Sequence, residues 1–269
     1  MFRAGNAVCL VLVAAAGHAA EPAEEHPLMP LIRYAEGRLR QIDTRIKDYT
    51  CLLVMRERID KDLSKEKFAL VKLRHEQRRE AAVTVPFSVY LRFLGPAEIE
   101  DREVIFVRGR NDGKLIARRG GYHFKNITLA VDPQGDLATR DTRYPITELG
   151  LRNLIERLIE VAKEDLRYGE IEVKYFPGAK VNERGSTAIQ VTHPIQRDHF
   201  RYHVAKIFID EELQLPIRFA SYGWPTEEGG KPRLIEEYTY LDLKVNVGLT
   251  DWDFDHRNEE YGFQKDFEP

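Results

Sequence analysis

Residues 86–96 have the sequence PFSVYLRFLGP, in which apolar side chains alternate with more polar ones. This two-residue period is typical of a β-strand, because successive side chains of a strand leave on opposite faces. The apolar side of the predicted strand consists of Phe87, Val89, Leu91 and Phe93, and the other side of Ser88, Tyr90 and Arg92. One face of the strand is therefore expected to be covered by the rest of the protein.

Strand-like segments of the same kind fill most of the chain on both sides of this stretch. Clusters of turn-forming residues separate them, such as Asn111-Asp112-Gly113 and Pro177-Gly178. The predicted strands lie at residues 49–59, 66–76, 86–95, 102–108 and 114–119, and then at 170–176, 186–193, 201–210, 215–223 and 234–246.

Two segments have the three- and four-residue apolar spacing of an amphipathic helix. The first runs from Leu28 to Ile46, ahead of the strands, and the second from Pro145 to Gly169, between the two groups of strands. Because the strands follow one another and do not alternate with helices, a doubly wound α/β fold is excluded. The sequence predicts an α+β fold with a large curled antiparallel sheet, covered by an N-terminal helix and a central helix.

The N-terminal residues predict export. Ala7–Ala16 is an apolar run of the length of a signal-peptide core, and it is too short to span a bilayer. Gly17 and Ala19 supply small residues at the two positions that a signal peptidase recognises. We therefore expect a cleaved signal peptide over residues 1–19 and a single domain over residues 20–269, located in the periplasm or cell envelope. A buried N-terminal helix is the alternative.

Composition excludes several classes of function. The chain has 269 residues and a formal net charge of -3, which gives no electrostatic reason to expect nucleic-acid binding. Beyond the N-terminal run, no segment has the ~18 apolar residues that a transmembrane helix needs, so we expect the mature chain to be peripheral to the membrane at most. Cys51, the remaining cysteine after cleavage, lies in an apolar run and is expected in the core.

Patterns of catalytic and metal sites are weak or absent in the sequence. No serine lies in a Gly-x-Ser-x-Gly motif, so a serine hydrolase of that class is not expected. The strongest candidates for a metal site are His193, His199 and His203, since imidazole is a common metal ligand. Pro194 separates the first two, and solvated histidines of a hairpin are the favoured interpretation. We therefore expect a non-enzymatic protein without a cofactor or a bound metal.

Acidic residues also alternate near the C-terminus, at Asp251, Asp253 and Asp255. A calcium loop has such an alternation, but it requires glycine where this chain has His256 and Arg257. A solvated chain end is the favoured interpretation of this segment.

Several long stretches resemble domain-of-unknown-function family 1571, which consists of uncharacterised exported bacterial proteins. The matching stretches include PFSVYLRFLGP at 86–96, EVIFVRGRNDGKLIA at 103–117, RYPITELGLRNLIERLIE at 143–160 and EEYTYLDLKVNVGLTDWDF at 236–254. At the level of the fold, the chain resembles periplasmic lipoprotein carriers of the LolA and LolB type. This resemblance implies an unclosed half-barrel whose concave face holds acyl chains under helical lids. The segment around residues 120–145 has no counterpart in such carriers.

The resemblance and the missing catalytic patterns together favour a non-enzymatic envelope protein that binds a lipid or the acyl chains of a lipoprotein. Such a ligand needs an apolar cavity more than it needs specific polar contacts. The candidate lining residues are Phe87, Val89, Leu91, Phe93, Phe208, Phe219 and Tyr222. The alternative is a structural or protein-interaction module of the envelope with no small-molecule ligand, which would use an exposed strand edge or the concave face.

Overall fold

The structure, a computed structural model, describes residues 25–122 and 126–269 and contains three α-helices and fourteen strands in this part of the chain. The helices are α1 (Met29–Arg45), α2 (Asp136–Thr139) and α3 (Leu151–Asp165). The strands of the first half are β1 (Asp48–Ile59), β2 (Asp62–Leu63), β3 (Lys67–Arg74), β4 (Gln77–Arg79), β5 (Ala82–Val85), β6 (Ser88–Gly95), β7 (Glu103–Val107), β8 (Leu115–Arg118) and β9 (Thr128–Val131). Those of the second half are β10 (Glu172–Val181), β11 (Arg184–Thr192), β12 (Val204–Asp210), β13 (Pro216–Gly223) and β14 (Arg233–Val245).

A single antiparallel sheet of 12 strands dominates the fold, in the order β10-β11-β12-β13-β14-β1-β3-β6-β7-β8-β9, with β2 paired to β1. Each half of the order follows the chain, and the two halves meet where β1 pairs with β14. In the described residues β9 and β10 end the order without pairing to each other, so the sheet is unclosed. The predicted α+β class with a large antiparallel sheet is confirmed.

The structure contains elements that the sequence analysis did not predict. These are the short strand β2, the hairpin β4–β5, strand β9 and the short helix α2. The predicted helix from Pro145 to Gly169 is divided: a short 3-10 helix at Ile146–Glu148 is followed by α3, which ends at Asp165. The division has a local cause, because Gly150 has a φ of 115°, which is incompatible with an α-helix.

Helices α1 and α3 both pack on one face of the sheet, which we call the inner face. Ile32 and Ile42 are the buried residues of α1, and the apolar stripe of α3 buries Leu151, Ile155 and Ile159. These side chains pack with inward-facing strand residues in two adjoining clusters. The prediction that an N-terminal and a central helix cover the sheet is therefore confirmed.

The outer face of β6, β7 and β8 is covered by the C-terminal segment, residues 249–267. The buried cluster on this face joins Tyr90, Ile105, Val107 and Ile116 of the strands to Phe254, Tyr261 and Phe263. The aromatic rings of Tyr90 and Tyr261 stack with 4.0 Å between centroids. Strands β6 to β8, towards the β9 end of the sheet, are therefore covered on both faces, although the sequence of β6 predicted only one covered face.

The three C-terminal aspartates are part of this packing, so the expectation of a solvated chain end is wrong. Asp251 accepts a hydrogen bond from Arg74 at 2.7 Å and one from Arg110 at 2.9 Å. Lys72 donates to Asp253 at 2.8 Å, and Asp255 binds the adjacent Arg257. The pairs with Lys72 and Arg74 tie the segment to the outward-facing side of β3, whereas the pair of Asp255 with Arg257 lies within the segment.

The structure describes the environment of Cys51 but does not include the predicted signal peptide. The predicted signal peptide, residues 1–19, lies outside the described residues. Among the described helices none is long and apolar enough to cross a membrane. Cys51 is buried and free, as expected, and burial raises the pKa of its thiol.

Candidate functional site

A cavity of about 1080 Å³ lies between the inner face of the sheet and helix α3. Its walls expose more apolar than polar surface. Residues from both halves of the sheet form one wall, and α2, residues 140–150 and α3 form the other. Representative apolar lining residues are Leu91, Phe93, Leu115, Val131, Leu154 and Phe219. Ligand pockets typically have volumes of about 300–1,000 Å³, so this cavity is at the upper end of that range.

The start of helix α3 is fixed against the sheet by a close approach at Gly150. A Cβ atom at this position would lie 2.6 Å from Leu73 Cδ1 and 2.9 Å from the Tyr49 hydroxyl. The backbone N–H of Leu151 donates to the Tyr49 hydroxyl at 3.1 Å, which satisfies one unpaired donor of the first helical turn. Glycine at this position therefore sets the distance between the helix and the sheet.

One end of the cavity is polar and is organised around Glu57, whose side chain is 1% exposed. Its carboxylate accepts hydrogen bonds from the Tyr238 hydroxyl at 2.7 Å and from Lys67 Nζ at 3.1 Å. It also accepts from the backbone N–H of Arg143 at 3.0 Å and the Thr142 hydroxyl at 3.2 Å. Burying a carboxylate is costly unless it is paired and hydrogen-bonded, and these four donors meet that requirement.

A second carboxylate, Glu236, completes the polar end. Ser221 donates to its Oε1 atom at 3.1 Å, and Arg143 Nε lies 3.2 Å from its Oε2 atom. Burial, and after it the negative charge of Glu236, raise the pKa of Tyr144 to about 12. Burial also raises the pKa of Tyr238 well above its usual range. Both tyrosines therefore remain protonated hydrogen-bond donors at neutral pH.

The same contacts hold the segment of residues 141–145 over the cavity. Arg143 Nη1 donates to the backbone carbonyl of Arg58 at 2.8 Å, and Lys67 donates to the carbonyl of Asp141. The polar end therefore connects β1 and β14 to one edge of the cavity wall. Each carboxylate lies beside a cation of the protein itself, Glu57 beside Lys67 and Glu236 beside Arg143.

The seven lining residues predicted from the sequence lie in three different places. Leu91, Phe93 and Phe219 line the cavity. Phe87 and Val89 are buried in the core cluster that adjoins it.

Phe208 and Tyr222 lie on the outer face of the sheet. Phe208 is between Ile207 and Ile209, which pack toward the helices on the inner face, and alternation places it on the opposite side. There Arg218 lies 5.6 Å from the ring centroid of Phe208, and Lys206 lies 5.9 Å from that of Tyr222.

The three candidate histidines have separate environments. His193 is fully buried, with Nδ1 2.9 Å from the carbonyl of Tyr202 and Nε2 3.1 Å from Asp165 Oδ2. His203 donates through Nδ1 to the carbonyl of His193 at 2.8 Å, and His199 stacks on the ring of Tyr168. Within residues 25–122 and 126–269, no three His, Cys, Asp or Glu side chains are grouped so that they could hold a metal ion.

The sequence analysis did not single out the polar end of the cavity, although the sequence contains a signal for it. Cys51, Leu53, Met55 and Glu57 share one face of β1, and the first three are apolar. A carboxylate at the end of an apolar strand face indicates a buried charge with specific partners. The partners in residues 141–145 had no such signal, because that segment has neither a helical nor a strand period.

The sequence of the chain matches one family model. The family described as "Protein of unknown function (DUF1571)" matches residues 46–263, which is more than half of the chain. The chain belongs to the DUF1571 family. This confirms the family resemblance found in the sequence. A comparison with curated proteins gives no match.

Several solved structures are similar to this DUF1571 protein. A DUF1329 family protein from Desulfovibrio piger has 12% identity and a TM-score of 0.41, over 86% of this chain and 98% of its own. A LolA superfamily protein from Nitrosomonas europaea has 10% identity and a TM-score of 0.32, over 82% and 97%. The Mycobacterium tuberculosis lipoprotein LppX has 12% identity and a TM-score of 0.42, over 84% and 100%.

Proposed function

We propose that the protein is a non-enzymatic carrier of the cell envelope that holds acyl chains of a lipid or lipoprotein in the cavity. The observation that supports this proposal is the cavity of about 1080 Å³ with predominantly apolar walls between the sheet and α3. An acyl chain gains about 0.8 kcal/mol for each methylene group that leaves water. A chain of ordinary length can therefore be held without a specific polar contact.

The residues proposed to contact the acyl chain come from both halves of the sheet. Leu91 and Phe93 lie on β6, and Phe219 lies on β13. Phe87 and Val89 support this wall from the adjoining core. Phe208 and Tyr222 are not part of the proposed contact, because they lie on the other face of the sheet.

The carrier is proposed to act after export, as one domain formed by residues 20–269. The N-terminal apolar run and the small residues Gly17 and Ala19 support cleavage after residue 19. Cell fractionation and N-terminal sequencing of the mature protein would test both parts. A chain that keeps residues 1–19 and stays in the cytosolic fraction would overturn the export proposal.

The first test is native mass spectrometry of the mature protein purified without detergent, followed by organic extraction. A discrete added mass that extracts as acyl-containing material is the expected result. A clean apo mass that persists after incubation with envelope lipids would overturn the carrier. That outcome would favour an envelope interaction module, for which the exposed edge strand β10 with Tyr175 and Phe176 is available.

A pair of matched variants links the bound mass to the cavity. Ala117 is a small, partly buried residue of the cavity wall, and Ala117→Trp is expected to fill part of the space and displace the ligand. Ala82 is exposed in the hairpin β4–β5 and does not line the cavity, so Ala82→Trp is the control. Equal ligand content in the two variants would show that the ligand binds elsewhere.

A further inference from the structure

A second, smaller space lies on the inner face of the sheet, between the helices α1 and α3 and the strands β11 and β12, and we call it the α1 pocket. Its volume is about 60 Å³, and its walls expose far more apolar than polar surface. Representative lining residues are Leu28, Ile32, Ile159, Ile189, Ala205 and Ile207. One water molecule needs about 10–15 Å³, so the α1 pocket has room for about four groups of that size.

The α1 pocket adjoins the cavity of the candidate site. Leu158 of α3 and Tyr202 line both spaces, so these two side chains lie at the boundary between them. Both side chains are partly buried. The two spaces together extend along the inner face from Leu129 on β9 to Ile189 on β11. The α1 pocket therefore continues the cavity towards the β10 end of the sheet.

The strand register gives the same result. Ala205 on β12 pairs with Ser221 on β13, and Ile207 on β12 pairs with Phe219 on β13. In each pair the β12 residue lines the α1 pocket and the β13 residue lines the cavity. The Cβ atoms of directly opposite residues are about 4.5–5.5 Å apart. The two spaces therefore meet along the pairing of β12 with β13.

The walls of the α1 pocket favour an apolar group. Three polar side chains contribute to them, and the Tyr34 hydroxyl donates to Gln214 at 3.2 Å. Arg38 Nη1 donates to Gln41 at 2.7 Å, although its Nε has no partner among the described residues. Burial raises the pKa of Tyr202, the third of them, so its hydroxyl stays neutral. Apolar cavities of this kind stay dry and bind hydrocarbon groups.

We propose that the α1 pocket receives the methyl end of the acyl chain that the cavity holds. The chain passes between Leu158 and Tyr202, with Leu158 in another rotamer, and ends beside Ile32 of α1. This inference rests on the proposed function and adds the orientation of the ligand, whose headgroup then lies on the side of the cavity away from α1. Each methylene group that leaves water raises the affinity about fourfold, so two further carbon atoms in the pocket contribute roughly fifteenfold.

Photo-crosslinking of the delipidated mature protein would locate the chain end. One probe is hexadecanoate with a diazirine at its terminal carbon, and the other has the diazirine next to the carboxylate. We expect the terminal diazirine to label Ile32, Ala205 or Ile207, and the other probe to label only residues of the cavity. Excess unlabelled hexadecanoate should suppress both reactions.

A pair of matched variants tests the pocket by filling it. Ala205 is 1% exposed and lines the α1 pocket, and Ala205→Ile is expected to suppress the labelling of α1 and to weaken hexadecanoate binding roughly fifteenfold. Ala188 is 8% exposed on the neighbouring strand β11 and lines neither space. It pairs with Phe208 on the outer face, so Ala188→Ile should leave the labelling and the affinity unchanged.

The outcomes separate the two proposals. If hexadecanoate does not bind and neither probe labels the protein, the carrier function itself fails. If hexadecanoate binds but the terminal diazirine labels only cavity residues such as Leu91, the carrier stands and the role of the α1 pocket is overturned. Equal affinity of the Ala205→Ile and Ala188→Ile variants would also overturn it. Should Ala205→Ile fail to fold, Ala35→Leu fills the same pocket from α1 and replaces it.

Discussion

Glu57 on β1 and Glu236 on β14 are directly opposite each other in the sheet, and both are almost completely buried in the wall of the cavity. Like charges at opposite positions of neighbouring strands destabilise a sheet unless they are compensated. Here Lys67 and Arg143 supply the compensation, and Arg143 also connects the strands to the segment over the cavity. The pairing that joins the two halves of the sheet therefore also fixes one end of the cavity.

Glu57→Gln is expected to lower the free energy of unfolding by about 2 to 4 kcal/mol, because it leaves the partly buried Lys67 without its charge partner. Urea unfolding would measure the loss. Glu66→Gln, at an exposed position next to Lys67, is the matched control and should change stability by less than about 0.5 kcal/mol. Equal effects of the two changes would contradict the structural role of the buried carboxylate.

His75 is expected to make the fold sensitive to mild acid. Burial, and after it the nearby charge of Arg152, lower its pKa from 6.5 to about 4, against the opposing charges of Asp43 and Asp48. Since the folded-state pKa lies below that of the unfolded chain, the unfolded state binds the proton more readily. Stability is therefore lost as pH falls from 6.5 towards 4, by on the order of 3 kcal/mol.

The variant His75→Phe keeps an aromatic ring beside Tyr49 but cannot take up the proton. Urea unfolding of both proteins at several pH values between 4 and 7 would test the prediction. The difference in stability between the variant and the natural protein should move in favour of the variant as the pH falls. A constant difference over this range would exclude His75 as the source of acid sensitivity.

Leu129→Gln is expected to weaken binding of an acyl ligand about five- to tenfold, because half of a leucine side chain contributes on the order of 1 kcal/mol when it is covered. Stability should change little, since Leu129 is 45% exposed in the free protein. Leu70 has almost the same exposure, 43%, but lies on the outer face of β3. Leu70→Gln should therefore leave the affinity unchanged, and fluorescence titration with an acyl probe would compare the two.

Tyr261→Ala is expected to cost about 3 kcal/mol, because it removes the buried ring that stacks on Tyr90. It also removes the hydrogen bond from the Tyr261 hydroxyl to the carbonyl of Asp253 at 2.9 Å. Tyr175→Ala, at an exposed position on β10, should cost less than about 0.5 kcal/mol. Thermal and urea unfolding of both variants would test whether the C-terminal segment is an integral part of the fold.

The long helices and most long strands of this fold could be predicted from the sequence because they have a clear local period. Helix α1 and strand β6 have apolar spacings close to 3.6 and 2, and both lie within two residues of their predicted bounds. The covering of both faces of the sheet was harder to recognise from the sequence. Val104 and Phe106 on one side of β7 and Ile105 and Val107 on the other are all apolar, because the strand lies between the helices and the C-terminal segment.

The candidate site was predicted less completely, for a physical reason. Alternation along a strand shows which side chains share a face, but it does not show which face is inner. Phe219 and Phe208 were therefore indistinguishable in the sequence, although only Phe219 lines the cavity. The polar end of the cavity joins Glu57, Arg143 and Glu236 from three separate segments, and contacts of that kind depend on pairings that no local pattern contains.

The pairing of β1 with β14 also determines at which stage of folding the cavity forms. Tyr49 is synthesised early, whereas its pairing partner Val245 is synthesised near the end of the chain. One edge of β1 therefore has no partner strand while the intervening residues are synthesised. Contacts between such distant residues form late in folding, because the closure of a long loop costs entropy. Leu91 and Phe219 belong to opposite sides of this junction, and neither half alone encloses a ligand. In the proposed carrier, loading must therefore follow the last step of folding, and uptake during refolding should show a lag relative to strand formation.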